Sequence, residues 1–395
     1  MKLLLLNLRS VLWALLDGLV LLIYPYRVRG NSALIVRLDA IGDFVLWLDA
    51  ARSLTASYHA QGYTVLLLGN NVWASWAREM GVADEVLGID VRRYRKNLLY
   101  RWSWLIRIRK LGFSDAIQPT FSRLFLEGDS LVRASGATVR IGSEGNDSNV
   151  SSFFRKWGGR WYTRLIPAAP MQMMELKRNA EFMHGLGYTD FKAGCPHIPK
   201  PAHQLAPLLP LPYVVLAPTA SWNGKMWPID RLVKIGDLLM ALGYQLVVVG
   251  GPADRKRASE LTSAYSGAVI DLVGRTTLDE LAEVLRSASI VVSNDTSAVH
   301  IGAAVDAPVV CILGGGHFGR FAPYDIDEPD EGRRLPVFIF ETMPCFGCNW
   351  HCQFPRQKGK AVKCVSDIPI SKVWNAVEQL LVKESRISRS EDVRL

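Results

Sequence analysis

Short, unbroken apolar runs separated by stretches with helical spacing recur along the chain. The first run is 33–38 (ALIVRL), followed by Asp39-Ala40-Ile41-Gly42-Asp43 and an apolar helix over 44–54. Runs of Val, Ile and Leu without polar alternation are expected of parallel strands covered on both faces. Further strands are predicted at 64–68, 85–88 and 115–118, and helices at 72–80, 98–111 and 174–186, the last stopped by Gly187. The rhythm restarts after 212. Strands at 213–217, 245–249, 269–271, 290–293 and 309–313 alternate with helices near 229–242, 253–264, 278–286 and 298–305. A helix at 371–383 precedes a polar tail. This alternation predicts α/β architecture: two Rossmann-like, doubly wound domains. Prolines at 196, 199, 201, 207, 210 and 212 forbid regular structure. The expected organisation is therefore a first domain over 31–194, a linker over 195–212, a second domain over 213–370, and a closing helix and tail over 371–395. Ligands of such sheets sit at the carboxyl ends of the strands, so the active site is expected in a cleft between the domains.

Residues 1–30 fall outside that rhythm. The run 11–24 (VLWALLDGLVLLIY) is interrupted by Asp17, preceded by Arg9 and followed by Arg27 and Arg29. It falls short of the ~20 residues that span a bilayer, and no small-residue cleavage site follows it. An in-plane membrane-associating helix is the expectation, with a single span and a helix packed on the protein's own core as alternatives. Charge changes this picture. The net charge is +9, and Lys+Arg against Asp+Glu gives 26 − 16 = +10 for residues 1–200, leaving 20 − 21 = −1 for the rest. The segments 92–110 and 153–165 interleave Arg and Lys with Trp, Tyr, Leu and Ile. Basic amphipathic helices bearing Trp belong at the headgroup boundary of a membrane. A solvated helix face is the plainer alternative. No nucleic-acid-binding motif accompanies the charge, so nucleic acid is not an expected partner.

Four polar clusters stand at predicted strand exits. Asp43 follows Gly42 where the first strand turns into a helix, a place for a general base or for a helix cap. The loop 217–228 (APTASWNGKMWP) offers small residues, hydroxyls and Lys225 before a Pro-initiated helix. That pattern suits a leaving diphosphate, or is an ordinary turn with a solvated lysine. In 293–300 (SNDTSAVH), Asp295 and Thr296 open a helix and His300 lies one turn on. This is either an anion site or a capped helix with a core histidine. Gly250-Gly251-Pro252-Ala253-Asp254 is a close backbone approach for a ligand or a simple turn, and Gly314-Gly315-Gly316-His317 is a further glycine-rich exit.

Together the segments 37–54, 217–228, 247–261 and 294–315 occur in the order and spacing of the heptosyltransferase family, glycosyltransferase family 9, which the chain resembles from about residue 33 to 380. The resemblance implies the GT-B fold, with two domains facing across a cleft, acceptor on the first and nucleotide-sugar donor on the second. It implies Asp43 as catalytic base. Lys225 would bind phosphate beside Thr219 and Ser221, Asp295, Thr296 and His300 would hold donor phosphates and sugar, and Asp254 would contact the nucleoside. It further implies inverting transfer without a required cofactor. The donor would be a nucleotide-diphosphate sugar of the ADP-heptose kind and the acceptor a lipid-linked saccharide, at the cytoplasmic face of the inner membrane. Ser297 stands where the family usually has Gly, and Leu48-Asp49 where it has Leu-Pro. A nucleotide-sugar epimerase of the same fold and a non-catalytic membrane-associated scaffold are the competing readings. Finally, Cys345, Cys348, Cys352 and Cys364 are spaced as Cys-x2-Cys-x3-Cys-x11-Cys. A structural zinc, free thiols and disulfides are the three readings of that cluster.

Overall fold

The computed structural model describes residues 2–26, 28, 30–201, 209–265, 269–327 and 332–392, with side chains described from Leu8 to Lys383. Arg27, Arg29 and residues 202–208 of the proline-rich stretch lie outside the described residues. The chain divides into two compact units, Met1–Met171 with Lys177–Lys192, and Gln172–Leu176 with Ala193–Leu395.

In the first unit the strands are β1 (Ser32–Arg37), β2 (Thr64–Asn70), β3 (Glu85–Ile89), β4 (Asp115–Gln118), β5 (Val139–Ser143) and β6 (Arg164–Ile166), in the order β3-β2-β1-β4-β5-β6. Every pairing is parallel. The second unit has β7 (Tyr213–Ala217), β8 (Gln245–Val248), β9 (Ile270–Asp271), β10 (Ile290–Asn294), β11 (Val309–Ile312) and β12 (Val337–Ile339), in the order β12-β11-β10-β7-β8-β9. These too pair in parallel. The two sheets share one topology. In each, the chain reverses direction across the sheet between the central strands, β1 and β4 in one, β7 and β10 in the other, which is where such sheets bind ligands. The central strands are buried along almost their whole length, as Ala33–Val36, Tyr213–Ala217 and Ile290–Asn294 show.

The N-terminal stretch forms one long helix, α1 (Lys2–Ile23). No helix among the described residues is long and apolar enough to cross a membrane. Asp17 ties α1 to the first unit. Its carboxylate is 3% exposed and accepts from Arg101 Nε at 2.9 Å and Nη2 at 2.5 Å, and Arg101 is itself fully buried on the helix Leu98–Leu111. One face of α1 is thus packed on its own domain, as the third of the sequence alternatives has it, while the opposite face stays open.

The basic stretch 92–110 is two helices, Val91–Lys96 and Leu98–Leu111, broken at Asn97, whose side chain caps the second. The expected helix over 153–165 is shorter, Ser152–Gly159, because the chain leaves it at Gly158-Gly159 and enters β6. Part of the basic charge here is tied to the domain: Arg95, itself exposed, pairs with Glu127 at 2.5 Å, and Arg109 donates to the carbonyls of Leu21 and Tyr24. At the other end of the chain the closing helix runs Ile370–Asp392, well beyond 383.

Candidate active site

Each unit carries one cluster at its switch point. In the first, Leu38-Asp39-Ala40 joins β1 to α2 (Ile41–Ala60), and side chains from neighbouring strand ends fix that turn. Asn70 Nδ2 donates to the Leu38 carbonyl at 3.1 Å and Thr120 Oγ1 to the Asp39 carboxylate at 3.1 Å. Trp73 Nε1 donates to the Asp39 carbonyl at 2.9 Å, and its indole reaches there because Gly69 leaves room; a Cβ at 69 would lie 2.3 Å from the ring. The buried Arg37 guanidinium pairs with Asp39 at 2.7 Å.

Asp43 lies in the first turn of α2. The cap position is Ala40, with no side-chain cap bond, so Asp43 does not serve as the helix cap. It opens instead onto a cavity of about 600 Å³ whose other walls include Arg92, Arg95, Gln118, Thr120 and Glu127. Burial pushes the Glu127 carboxyl up, against the pull of Arg95. The cavity therefore presents three carboxylates, Asp39, Asp43 and Glu127, beside two guanidinium groups, a set suited to orienting a hydroxyl-rich molecule.

In the second unit the loops after β7 and β10 meet. Lys225, in the turn Asn223–Lys225, places Nζ 2.6 Å from Asp295, with both side chains nearly buried. Trp227 N–H donates to Asn294 Oδ1 at 2.9 Å and so ties one loop to the other. Thr219 is buried at the exit of β7, and Ser221 is exposed. Thr296 occupies the cap position of the helix Ser297–Ala304 without a side-chain cap bond, so the helix N-terminus keeps its positive end available beside Lys225 and Asp295. His300 is buried, with Nδ1 2.9 Å from Tyr324 Oη and the rings parallel. The Asp254 carboxylate accepts from Gly251 N–H at 2.8 Å, as the turn reading has it.

Burial depresses the His300 imidazole to about 4, with Asp295 opposing and Lys225 adding to the effect. Between about pH 4 and its ordinary 6.5 the unfolded chain binds this proton and the folded chain does not. Stability from neutral His300 is thus complete above that window and lost as pH falls through it, approaching ~3 kcal/mol at its lower edge. Urea unfolding should show His300→Gln with a flatter loss from pH 7 to pH 4 than the parent. Equal slopes would place the proton elsewhere.

Trp350 escaped sequence reasoning, whereas His317 was visible in the glycine-rich strand exit. Trp350 lies with its ring 5.3 Å from Lys225 Nζ and edge-on to Trp222 at 5.8 Å, and His317 Nε2 bonds Asn349 Oδ1 at 2.7 Å. Trp350 reaches the site because Gly316 carries no side chain, and Gly315 likewise leaves room for Phe346. A Cβ at 315 would lie 2.1 Å from Phe346, and one at 316 2.2 Å from Trp350. The glycine run was the visible signal; its packing partner was not.

The same segment carries the cysteines. Cys345, Cys348, Cys352 and Cys364 line one small cavity, all as thiols without a disulfide. Gly315 N–H donates to Cys364 Sγ at 3.3 Å, while burial and then the other three cysteines push that thiol up. Among the described residues no three His, Cys, Asp or Glu side chains are grouped so as to hold a metal ion.

Paired switch-point clusters on two parallel sheets, one with a carboxylate cavity and the other with a lysine beside a helix N-terminus, define a two-domain α/β protein of the GT-B kind. The chain belongs to glycosyltransferase family 9 (heptosyltransferase), whose family model matches residues 130–328. It is similar to lipopolysaccharide heptosyltransferase 1 of Pseudomonas aeruginosa, 24% identical over 333 residues that cover 80% of this chain and 85% of that protein. The fold resembles that of a family 9 glycosyl transferase from Veillonella parvula (TM-score 0.65, 16% identical, 91% and 99% of the two chains covered). It also resembles an E. coli heptosyltransferase with ADP-2-deoxy-2-fluoro heptose (TM-score 0.59, 20% identical, 89% and 99% covered). The protein is a glycosyltransferase, and the epimerase and scaffold readings give way to that.

Proposed function

We propose that this glycosyltransferase moves a heptose from ADP-heptose onto a lipid-linked saccharide in lipopolysaccharide core synthesis, with inversion and without a divalent ion, at the cytoplasmic face of the inner membrane. Relatives named lipopolysaccharide heptosyltransferases and a neighbour holding an ADP-heptose analogue support the donor and the acceptor class. The observation that carries the reading is the Lys225–Asp295 pair beside the uncapped N-terminus of Ser297–Ala304. A diphosphate arriving there takes over the lysine, and the helix end adds partial positive charge, so the negative charge growing on the leaving group is offset by protein alone. Asp43 accepts the proton of the attacking hydroxyl, which approaches the anomeric carbon from the face opposite the diphosphate.

A thermal-shift screen against ADP-, GDP-, UDP- and dTDP-sugars tests the donor. Ligand at ~100-fold over its Kd stabilises by ~2.7 kcal/mol, so ADP-heptose should raise Tm by several degrees. Lys225→Ala should weaken that donor at least ~10-fold. Equal shifts from all four nucleotides, or none from ADP-heptose, would remove the donor assignment. Retained activity in EDTA and an inverted anomeric centre in the product complete the test.

At the cysteines, four thiolates around one cavity suit a structural zinc once the sulfurs close in from their present positions. Elemental analysis of purified protein should find close to one zinc per chain; less than one in several chains leaves them as thiols.

A further inference from the structure

The open face of α1 has no partner within its own domain. Leu8, Leu12, Leu15, Leu19 and Leu22 are 65%, 52%, 58%, 56% and 80% exposed. Their steps of four, three, four and three place them in one straight line along a helix. Ile23 at 71% and Phe153 at 62%, on the neighbouring helix Ser152–Gly159, widen the patch. Single exposed leucines need no explanation, but an aligned stripe marks an interaction surface.

Beside the stripe runs a groove of about 470 Å³ between α1 and Trp157, with Leu15, Leu19 and Leu22 on one wall and the guanidinium groups of Arg109 and Arg133 within it. Arg133 donates to the Ala14 carbonyl at 3.1 Å and lies over the Trp161 ring, and Arg109 donates to the carbonyls of Leu21 and Tyr24. Among the described residues neither forms an ion pair, although Asp17 acts on Arg133 through space, so both bring positive charge to an apolar groove. The surroundings have the same sign. Residues 91–114 contain eight Lys and Arg and no Asp or Glu, and residues 148–174 contain four and none. Arg92, Arg93, Lys96, Arg107, Lys110 and Lys156 among them are exposed.

We propose that this face seats the protein in the plane of an anionic lipid bilayer, the leucine stripe entering the acyl boundary and Arg109 and Arg133 receiving a headgroup phosphate from the groove. Apolar area supplies the attachment and the basic rim supplies the preference for anionic lipid. A second copy of the chain is the poorer occupant, because pairing two such faces would bring two basic rims together. The Asp17–Arg101 pair keeps α1 on its domain, so the helix lies on the membrane without crossing it.

The proposal does not depend on which sugar is transferred, and it is tested without donor. The full chain should sediment with vesicles of phosphatidylcholine and phosphatidylglycerol, much less with phosphatidylcholine alone, and less as salt rises. Leu12→Gln, Leu15→Gln and Leu19→Gln combined should lower binding at least ~10-fold while Tm and the donor thermal shift stay unchanged. Arg133→Gln should reduce the preference for phosphatidylglycerol. Absence of vesicle binding, or undiminished binding by the triple variant, would overturn the proposal. So would a lipid-free dimer that the triple variant converts to monomer. An intact donor shift in any of those cases would leave the glycosyltransferase reading standing.

Discussion

Asp43→Asn should lower kcat by at least ~100-fold and leave donor affinity close to that of the parent, because a general base contributes in the transition state and not in donor binding. The substitution preserves size and hydrogen-bonding shape, so the cavity formed with Arg92, Arg95 and Glu127 stays intact. Stability should change little. The cap of α2 is Ala40, and a first-turn carboxylate contributes only ~0.3–1 kcal/mol through the helix dipole. Single-turnover transfer combined with donor titration separates chemistry from binding. Near-normal turnover would strike Asp43 from the mechanism and leave its carboxylate as an orienting group only.

The largest loss of stability is expected from Asp17→Ala. Removing one partner of a buried ion pair costs ~3–5 kcal/mol, because the remaining charge stays out of water without compensation. Here that charge is the Arg101 guanidinium, fully buried and also bonded to the Leu126 carbonyl at 2.5 Å. Urea unfolding should show the midpoint falling sharply for Asp17→Ala. The double variant Asp17→Ala/Arg101→Met should regain a large part of the loss, since it removes both charges and keeps the volume. Equal stability of the single variant and the parent would mean that the pair is solvated and that α1 is not held by it.

The central strands were legible because burial on both faces demands continuous apolar residues. Tyr213–Ala217 and Val309–Ile312 carry that signature over their whole length. β5, β6 and β12 were missed for the complementary reason. Val139–Ser143 mixes Arg, Gly and Ser, and Arg164–Ile166 and Val337–Ile339 have three residues each, too few to show a period. Site residues divide similarly. Asp43, Lys225, Asp295 and Thr296 could be marked because each stands at a strand exit, a position defined locally. The contacts that give them character are not local. Lys225 finds Asp295 seventy positions on, Asp17 finds Arg101 eighty-four positions on, and Trp350 arrives from a segment outside the predicted alternation. Local pattern says where a side chain is presented, whereas its partner is chosen by the topology.

The bare Gly315-Gly316 backbone has a bearing on how this enzyme would be re-engineered. Aromatic rings fill the space where side chains at those two positions would go, so even alanine there would displace Phe346 or Trp350. A library aimed at a different sugar would therefore waste its diversity on the strand exit. The rings that fill it belong to the cysteine-bearing loop from Met343 to Phe354, so the lining of this exit is changed from that loop and not from the two glycines.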